Sequence, residues 1–187
     1  MAERPAPPAT AGGTVVQAGG REFAPARLGP CRVVSIRHIG PYHTVDATWA
    51  RLRAFVADRG LYHPGALAIG IVYDNPVTTP PDAIRYDACL SLDEAAAREL
   101  ARRAERGVVP GIRIDEIDSG PCWRAVHLGP YDRLAEVYAA AGDVAAFTRA
   151  GLPAPTSRPP MYEVYRNDPL RTPPHRLCTE VYFPHAP

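Results

Sequence analysis

The sequence predicts an α+β protein built from two tandem β-β-α-β-β units, with eight mainly antiparallel strands, two main helices and a central ligand cleft. Three observations carry this. A series of motifs returns in the same order in both halves of the 187-residue chain. Each half alternates short runs of β-branched and aromatic residues with Gly-Pro and Asn-Pro turns, and each holds one apolar stripe at helical spacing.

The repeat is explicit. Arg37-His38-Ile39-Gly40-Pro41-Tyr42 returns 89 positions later as Val126-His127-Leu128-Gly129-Pro130-Tyr131. Gly29-Pro30-Cys31 returns as Gly120-Pro121-Cys122, Gly60-Leu61 as Gly151-Leu152, and Thr79-Pro80-Pro81 as Thr172-Pro173-Pro174. Tyr73-Asp74-Asn75-Pro76 returns as Tyr165-Arg166-Asn167-Asp168-Pro169, with one residue inserted. The units are 22–92 and 112–184, joined by a connector at 93–111, so the domain proper is 22–187. Residues 1–21, rich in Pro, Ala and Gly, are expected to be a flexible tail.

Within each unit a first strand (22–28; 112–117) meets a Gly-Pro turn and a second strand (31–39; 122–128) follows. The His-x-Gly-Pro-Tyr corner then starts a helix, since proline in a first turn loses no needed N–H. Val45, Trp49, Leu52, Phe55 and Val56 form the stripe of the first helix. Leu134, Val137, Tyr138, Ala141, Val144 and Phe147 form that of the second. Both stripes stop at Gly-Leu. Strands at 66–73 and 84–92, then at 161–165 and 177–183, close the units. In the connector, residues 93–106 read as a short helix, with Ser91 and Glu94 as its capping box.

Composition narrows the function. The formal net charge is +1, from 21 arginines without a lysine against 20 acidic residues. That balance disfavours a nucleic-acid binder, which needs a clustered positive excess. No apolar run reaches the length of a membrane span or the core of a signal peptide, so no membrane association and a cytoplasmic location are expected. The four cysteines are widely spaced without a C-x-x-C pair, so free thiols and no metal site are expected. Ser-His-Asp ordering, glycine-rich phosphate loops and H-E-x-x-H are all missing, and no cofactor is implied.

The motifs H-I-G-P-Y with T-W-x-x-L, Y-D-N-P…T-P-P…R-Y-D, and Y-E-V-Y-R-N-D-P…T-P-P…L-x-T-E-V-Y-F-P resemble the GyrI-like small-molecule-binding family across residues 22–184. That family includes effector-binding domains of AraC-type and some MerR-type regulators, as well as stand-alone proteins. The resemblance implies paired strand-helix-two-strand modules with a pocket between them. The segment before residue 22 is too short and proline-rich for the helix-turn-helix of the regulators, so a stand-alone binding module without direct DNA contact is expected. Some members are hydrolases of cyclopropane-containing natural products, and one branch inhibits gyrase, so a protein partner stays open.

Glu163, in Met161-Tyr162-Glu163-Val164-Tyr165, is the leading candidate. Its repeat partner is read as Ile71, so an apolar position has become acidic, and burying a carboxylate among apolar neighbours is costly. The resemblance implies that the glutamate of this E-x-Y motif faces the pocket and attracts lipophilic cations. In a hydrolase it would be the general base. The bland reading is a strand-end carboxylate in solvent or paired with an arginine. Glu180 and Tyr182 share one face of the last strand, and pairing with 161–165 is expected to bring that face near Glu163. Trp123 replaces Val34 of the first unit, which makes it a candidate pocket wall whose fluorescence a bound dye would quench. Trp49 and Tyr138 are candidates to line the cleft, with core packing as the competing role. Tyr42 and Tyr131 are further aromatic candidates for the cleft but, following Gly-Pro, are read as fixing the corners, and His38 and His127, present in both, as structural. The ligand expected is hydrophobic, aromatic or cationic.

Overall fold

The computed structural model describes residues 13–104, 110–156 and 160–185. Its strands are β1 (Val16–Ala18), β2 (Arg21–Ala26), β3 (Cys31–Ile39), β4 (Ala68–Val72), β5 (Arg85–Ser91), β6 (Arg113–Ile117), β7 (Cys122–Leu128), β8 (Met161–Tyr165) and β9 (Cys178–Pro184). Its helices are α1 (Val45–Asp58), α2 (Glu94–Ala104), α3 (Ala135–Ala141) and α4 (Val144–Arg149). The strands make one antiparallel sheet in the order β1-β2-β7-β9-β8-β4-β5-β3-β6. Three strands of each half lie together (β7-β9-β8 and β4-β5-β3), the β4–β8 ladder joins them, and the first strand of each unit crosses to the other half, β2 onto β7 and β6 onto β3.

Three expectations change. The ninth strand, β1, lies in the expected tail: Val16 and Ala18 are buried against the cluster containing Phe23 and Val137, which ties the segment down. Residues 1–12 of that tail lie outside the described residues. The second main helix is broken at Gly142-Asp143, where the Asp143 carboxylate accepts from Ala146 N–H at 3.2 Å and starts α4 afresh. The connector helix is capped by Asp93, whose carboxylate accepts from Ala96 N–H at 2.7 Å, while Ser91 Oγ accepts from Leu67 N–H at 2.7 Å.

Pleating sorts the sheet into two faces. On one face α1 covers Val34, Ile36, Ala88 and Leu90 through Trp49, Leu52, Phe55 and Val56. There α3 and α4 cover Trp123, Ala125, Val181 and Phe183 through Val137, Ala140 and Phe147. The other face closes on itself. Strands β2 and β3 stand six places apart in the sheet order, which a flat sheet would spread over about 29 Å. The five Cα steps from Ala26 to Cys31 reach only about 18 Å, so the sheet must curl. The two crossings then meet: Leu28 N–H donates to Ser119 Oγ at 2.8 Å, Ser119 N–H returns to Leu28 O at 2.9 Å, and Arg27 pairs with Asp118. Leu28, Ile117 and Cys122 fill the inside of the curl with Ile69, Cys89 and Val164.

The central ladder sits on a local twofold axis. Gly70 lies directly opposite Glu163. The offset between these two residues also relates Asp87 to Glu180 and Thr79 to Thr172. The repeat therefore maps this ladder position onto itself. Ile71 faces the inside of the curl opposite Tyr162, so the repeat counterpart of Glu163 is Gly70 and not Ile71.

Candidate functional site

The two helical layers meet in a seam over the β4–β8 ladder, and the side chains that fill it come in equivalent pairs. Trp49 on α1 and Tyr138 on α3 occupy the same repeat position, as do the corner residues Tyr42 and Tyr131. Between them, the middle row of the sheet runs Ile36, Ala88, Gly70, Glu163, Val181, Ala125. Glu163 is the charged member of this row and is 7% exposed.

Its carboxylate is held by two phenols. Tyr138 Oη donates to Oε1 at 2.7 Å and Tyr165 Oη donates to Oε2 at 2.6 Å. Behind Tyr165 the donors continue in one direction. An indole N–H only donates, so Trp49 Nε1 gives its proton to Tyr86 Oη at 3.2 Å. Tyr165 has spent its proton on Glu163, so Tyr86 donates to Tyr165 across 3.0 Å. Glu163 is the terminal acceptor of this relay. Edge contacts lock the rings: Trp49 on Tyr165 at 5.7 Å, Tyr131 on Tyr165 at 5.4 Å and Tyr42 on Tyr86 at 6.0 Å. Gly70 makes room for the cage. A Cβ built there would lie 2.3 Å from Tyr86 Oη.

Burial pushes the Glu163 carboxyl above its ordinary range, opposed by the bonds from Tyr165 and Tyr138 and by the field of His127. The phenols move with it. Burial, then the Glu163 charge, holds Tyr138 and Tyr165 well above their usual value and raises Tyr131 to about 12. They therefore serve as donors at neutral pH. Among the described residues no arginine or histidine forms an ion pair with Glu163.

The inside of the curl supplies an internal contrast. Asp87 pairs with Arg37 and with Arg113 at 2.6 Å, and accepts from Tyr73 Oη at 2.9 Å. Burial works to raise its pKa, and these partners hold it below the ordinary value. Its counterpart Glu180 pairs with Arg166 at 2.7 Å and Arg124 at 3.5 Å, and accepts from Tyr182 Oη at 2.8 Å. Two buried carboxylates thus carry two guanidinium groups each, and Glu163 carries none.

The expected grouping is corrected in part. Glu163, Tyr138 and Trp49 come together. Glu180 and Tyr182 do not join them: Glu180 lies opposite Val164 and Tyr182 opposite Tyr162, whereas Glu163 lies opposite Val181, so the two carboxylates point to opposite faces. Trp123 is 2% exposed, donates its indole N–H to Pro153 O at 2.8 Å, and packs on Phe147 within the second-half core. Tyr42 and Tyr131, weighed as cleft residues, pack on the rings of the cage, while Tyr86, Tyr165 and Gly70 belong to it without having been singled out. Tyr165 had a signal in its two-residue spacing from Glu163, while Tyr86 and Gly70 required the strand pairing. His38 has its expected corner role, with Nδ1 3.1 Å from Thr48 Oγ1 and Nε2 3.3 Å from Pro41 O. The four cysteines are free thiols, and no cluster of three His, Cys, Asp or Glu fit for a metal occurs among the described residues. Nor is any described helix long and apolar enough to cross a membrane.

This architecture is shared with other proteins. The chain is 30% identical over 104 residues to a DNA gyrase inhibitor of Yersinia enterocolitica, an alignment covering 50% of this chain and 65% of that relative. The C-terminal domain of EcmrR superposes with a TM-score of 0.59 at 16% identity, covering 89% of this chain and 98% of its own. A hydrolase of Listeria innocua superposes with a TM-score of 0.55 at 17% identity, covering 87% and 91% respectively. At these identities the two solved structures speak for the fold alone. Residues 27–186, which hold all but the first five residues of the two repeat units and the whole Glu163 cage, match the GyrI-like small molecule binding domain, and the chain belongs to that family.

Proposed function

We propose that this small-molecule-binding domain takes an aromatic, cationic ligand in the seam between its two halves, with Glu163 as the electrostatic anchor. The observation that carries this is the imbalance of charge. A carboxylate buried among Trp49, Tyr86, Tyr138 and Tyr165 has phenolic donors but no ion-pair partner among the described residues. The neighbouring buried carboxylates Asp87 and Glu180 each have two. A delocalised cation satisfies both features of the cage, since aromatic faces attract it and the carboxylate neutralises it. In this reading the protein senses or sequesters such compounds in the cytoplasm and does not itself contact DNA.

Isothermal titration with the cationic dye acridine orange tests the reading. Saturable one-to-one binding, weakened about tenfold or more in Glu163→Gln, supports it. Unchanged affinity in that variant removes Glu163 as the anchor.

The raised carboxyl of Glu163 favours one further reading, a hydrolase in which Glu163 takes a proton from the water that attacks an electrophilic carbon. Turnover of an alkylating substrate that vanishes in Glu163→Gln supports it, and stoichiometric binding without product counts against it.

A further inference from the structure

Two buried polar atoms beside the cage have no partner among the described residues, and both belong to the second half. His127 is 2% exposed and Thr179 0%. They lie opposite each other on the β7–β9 ladder, and Thr179 lies opposite Tyr165 on the β8–β9 ladder. Among the described residues neither His127 Nδ1 nor Thr179 Oγ1 finds a hydrogen-bond partner. Buried side-chain polar atoms are paired in the large majority of cases, so a gap on two facing residues calls for a third component.

The first half shows the same place filled. There His38 Nδ1 meets Thr48 Oγ1 of α1, and Tyr86 stands opposite His38. In the second half Val137 replaces Thr48 and Thr179 replaces Tyr86. The histidine has lost its helix partner, and the tyrosine of this row stands one strand further away, at Tyr165 opposite Thr179, where the first half has Val72 opposite Tyr86. The other ring nitrogen is committed: Nε2 lies 3.0 Å from the carbonyl oxygen of Pro130, which only accepts. Nε2 therefore carries the proton of that bond, and in the neutral ring Nδ1 presents a lone pair. Thr179 Oγ1 adds a group that can both donate and accept.

We propose that His127 Nδ1 and Thr179 Oγ1 form a polar subsite at one end of the cage, which receives a hydrogen-bond donor of the ligand such as an aryl amine N–H. This rests on the reading that Glu163 anchors a cation in the seam. It narrows the ligand to aromatic cations whose amine or hydroxyl donor is displaced to one side of the charge. The asymmetry of the two halves then also sets the direction in which the ligand lies.

Two dyes with one ring system test it. Proflavine carries two primary aryl amines, and acridine orange has the same positions dimethylated. Titration of the full chain should show proflavine favoured by about tenfold, the contribution of one hydrogen bond. His127→Phe should abolish that preference. Val137→Thr, which rebuilds the partner that Thr48 supplies to His38, should abolish it too while keeping the fold intact. Glu163→Gln should weaken both dyes alike. Equal affinities in the unmodified protein, as expected if an ordered water occupies the gap, overturn the subsite and leave the role of Glu163 standing. So does a preference that survives His127→Phe and Val137→Thr. Failure of both dyes to bind overturns the cation reading and the subsite together.

Discussion

Gly70 lies opposite Glu163 across the β4–β8 ladder, and the space where a side chain of residue 70 would stand is taken by the tip of Tyr86. Tyr86 in turn donates to Tyr165, and Tyr165 to Glu163. The absence of a side chain on one strand is therefore what lets a relay of three hydrogen bonds, from Trp49 through Tyr86 and Tyr165, end on the carboxylate of the other.

Gly70→Ala tests this convergence. A methyl group 2.3 Å from Tyr86 Oη must displace a ring that is 2% exposed and packed against Tyr42. Overpacking of this kind costs about 1–3 kcal/mol. Urea denaturation should show that loss, and acridine orange should bind more weakly. A variant as stable as the parent would mean that Tyr86 has room to move.

The pH dependence of stability should carry the mark of Glu163. Its folded pKa is raised, first by burial, so between the unfolded and folded values the native state holds more protons. Stability attributable to this group then falls as pH rises through that window, from the ordinary glutamate range upward, and is constant above it. Glu163→Gln should therefore be more stable than the parent at neutral pH, with the difference shrinking as pH falls through that window and gone below about pH 4.5. Thermal melts from pH 4 to 8 read this directly. A variant less stable than the parent across the whole range contradicts it.

Glu180→Gln should do the reverse. It leaves Arg124 and Arg166 facing each other without their carboxylate inside the curl. Breaking such a buried pair costs about 3–5 kcal/mol. Acridine orange affinity should stay within about twofold, since the side chain lies on the face opposite Glu163. A large loss of affinity in a folded variant would place the ligand inside the curl instead.

The two tryptophans separate the seam from the core. Trp49 touches Tyr165 and feeds the relay, while Trp123 is enclosed by Phe147 and His185. Dye binding should quench emission in Trp123→Phe and leave it nearly unchanged in Trp49→Phe. The opposite result would move the site to the second-half core.

Much of this was legible beforehand because the repeat announces itself. The strands β3, β7 and β8 run where the motifs set them, and Glu163 stood out as a carboxylate among aromatic residues. What escaped depended on register. Glu180 was expected beside Glu163 because both strands alternate, but alternation alone leaves open which face each residue takes, and a shift of one residue reverses it. The same shift separates Gly70 from Ile71 as the counterpart of Glu163. Trp123 drew notice as a large residue in place of Val34, yet that volume is consumed by packing on Phe147. The break after α3 had a local sign in Gly142-Asp143, outweighed by an apolar stripe that continues through it. Strand β1 had too few residues to show a period.

The twofold axis through Gly70 and Glu163 has a consequence for the number of charges the seam can hold. Were the sheet assembled from two identical chains, symmetry would place the same residue on both strands at that point. Two glutamates would then face each other and share a proton, or two glycines would leave the floor without an anchor. Joining unlike halves in one polypeptide removes that constraint, so a single negative charge can stand almost at the centre of symmetry. Under the proposed function, such a seam offers nearly matched aromatic walls on both sides of a monovalent guest and still neutralises it once.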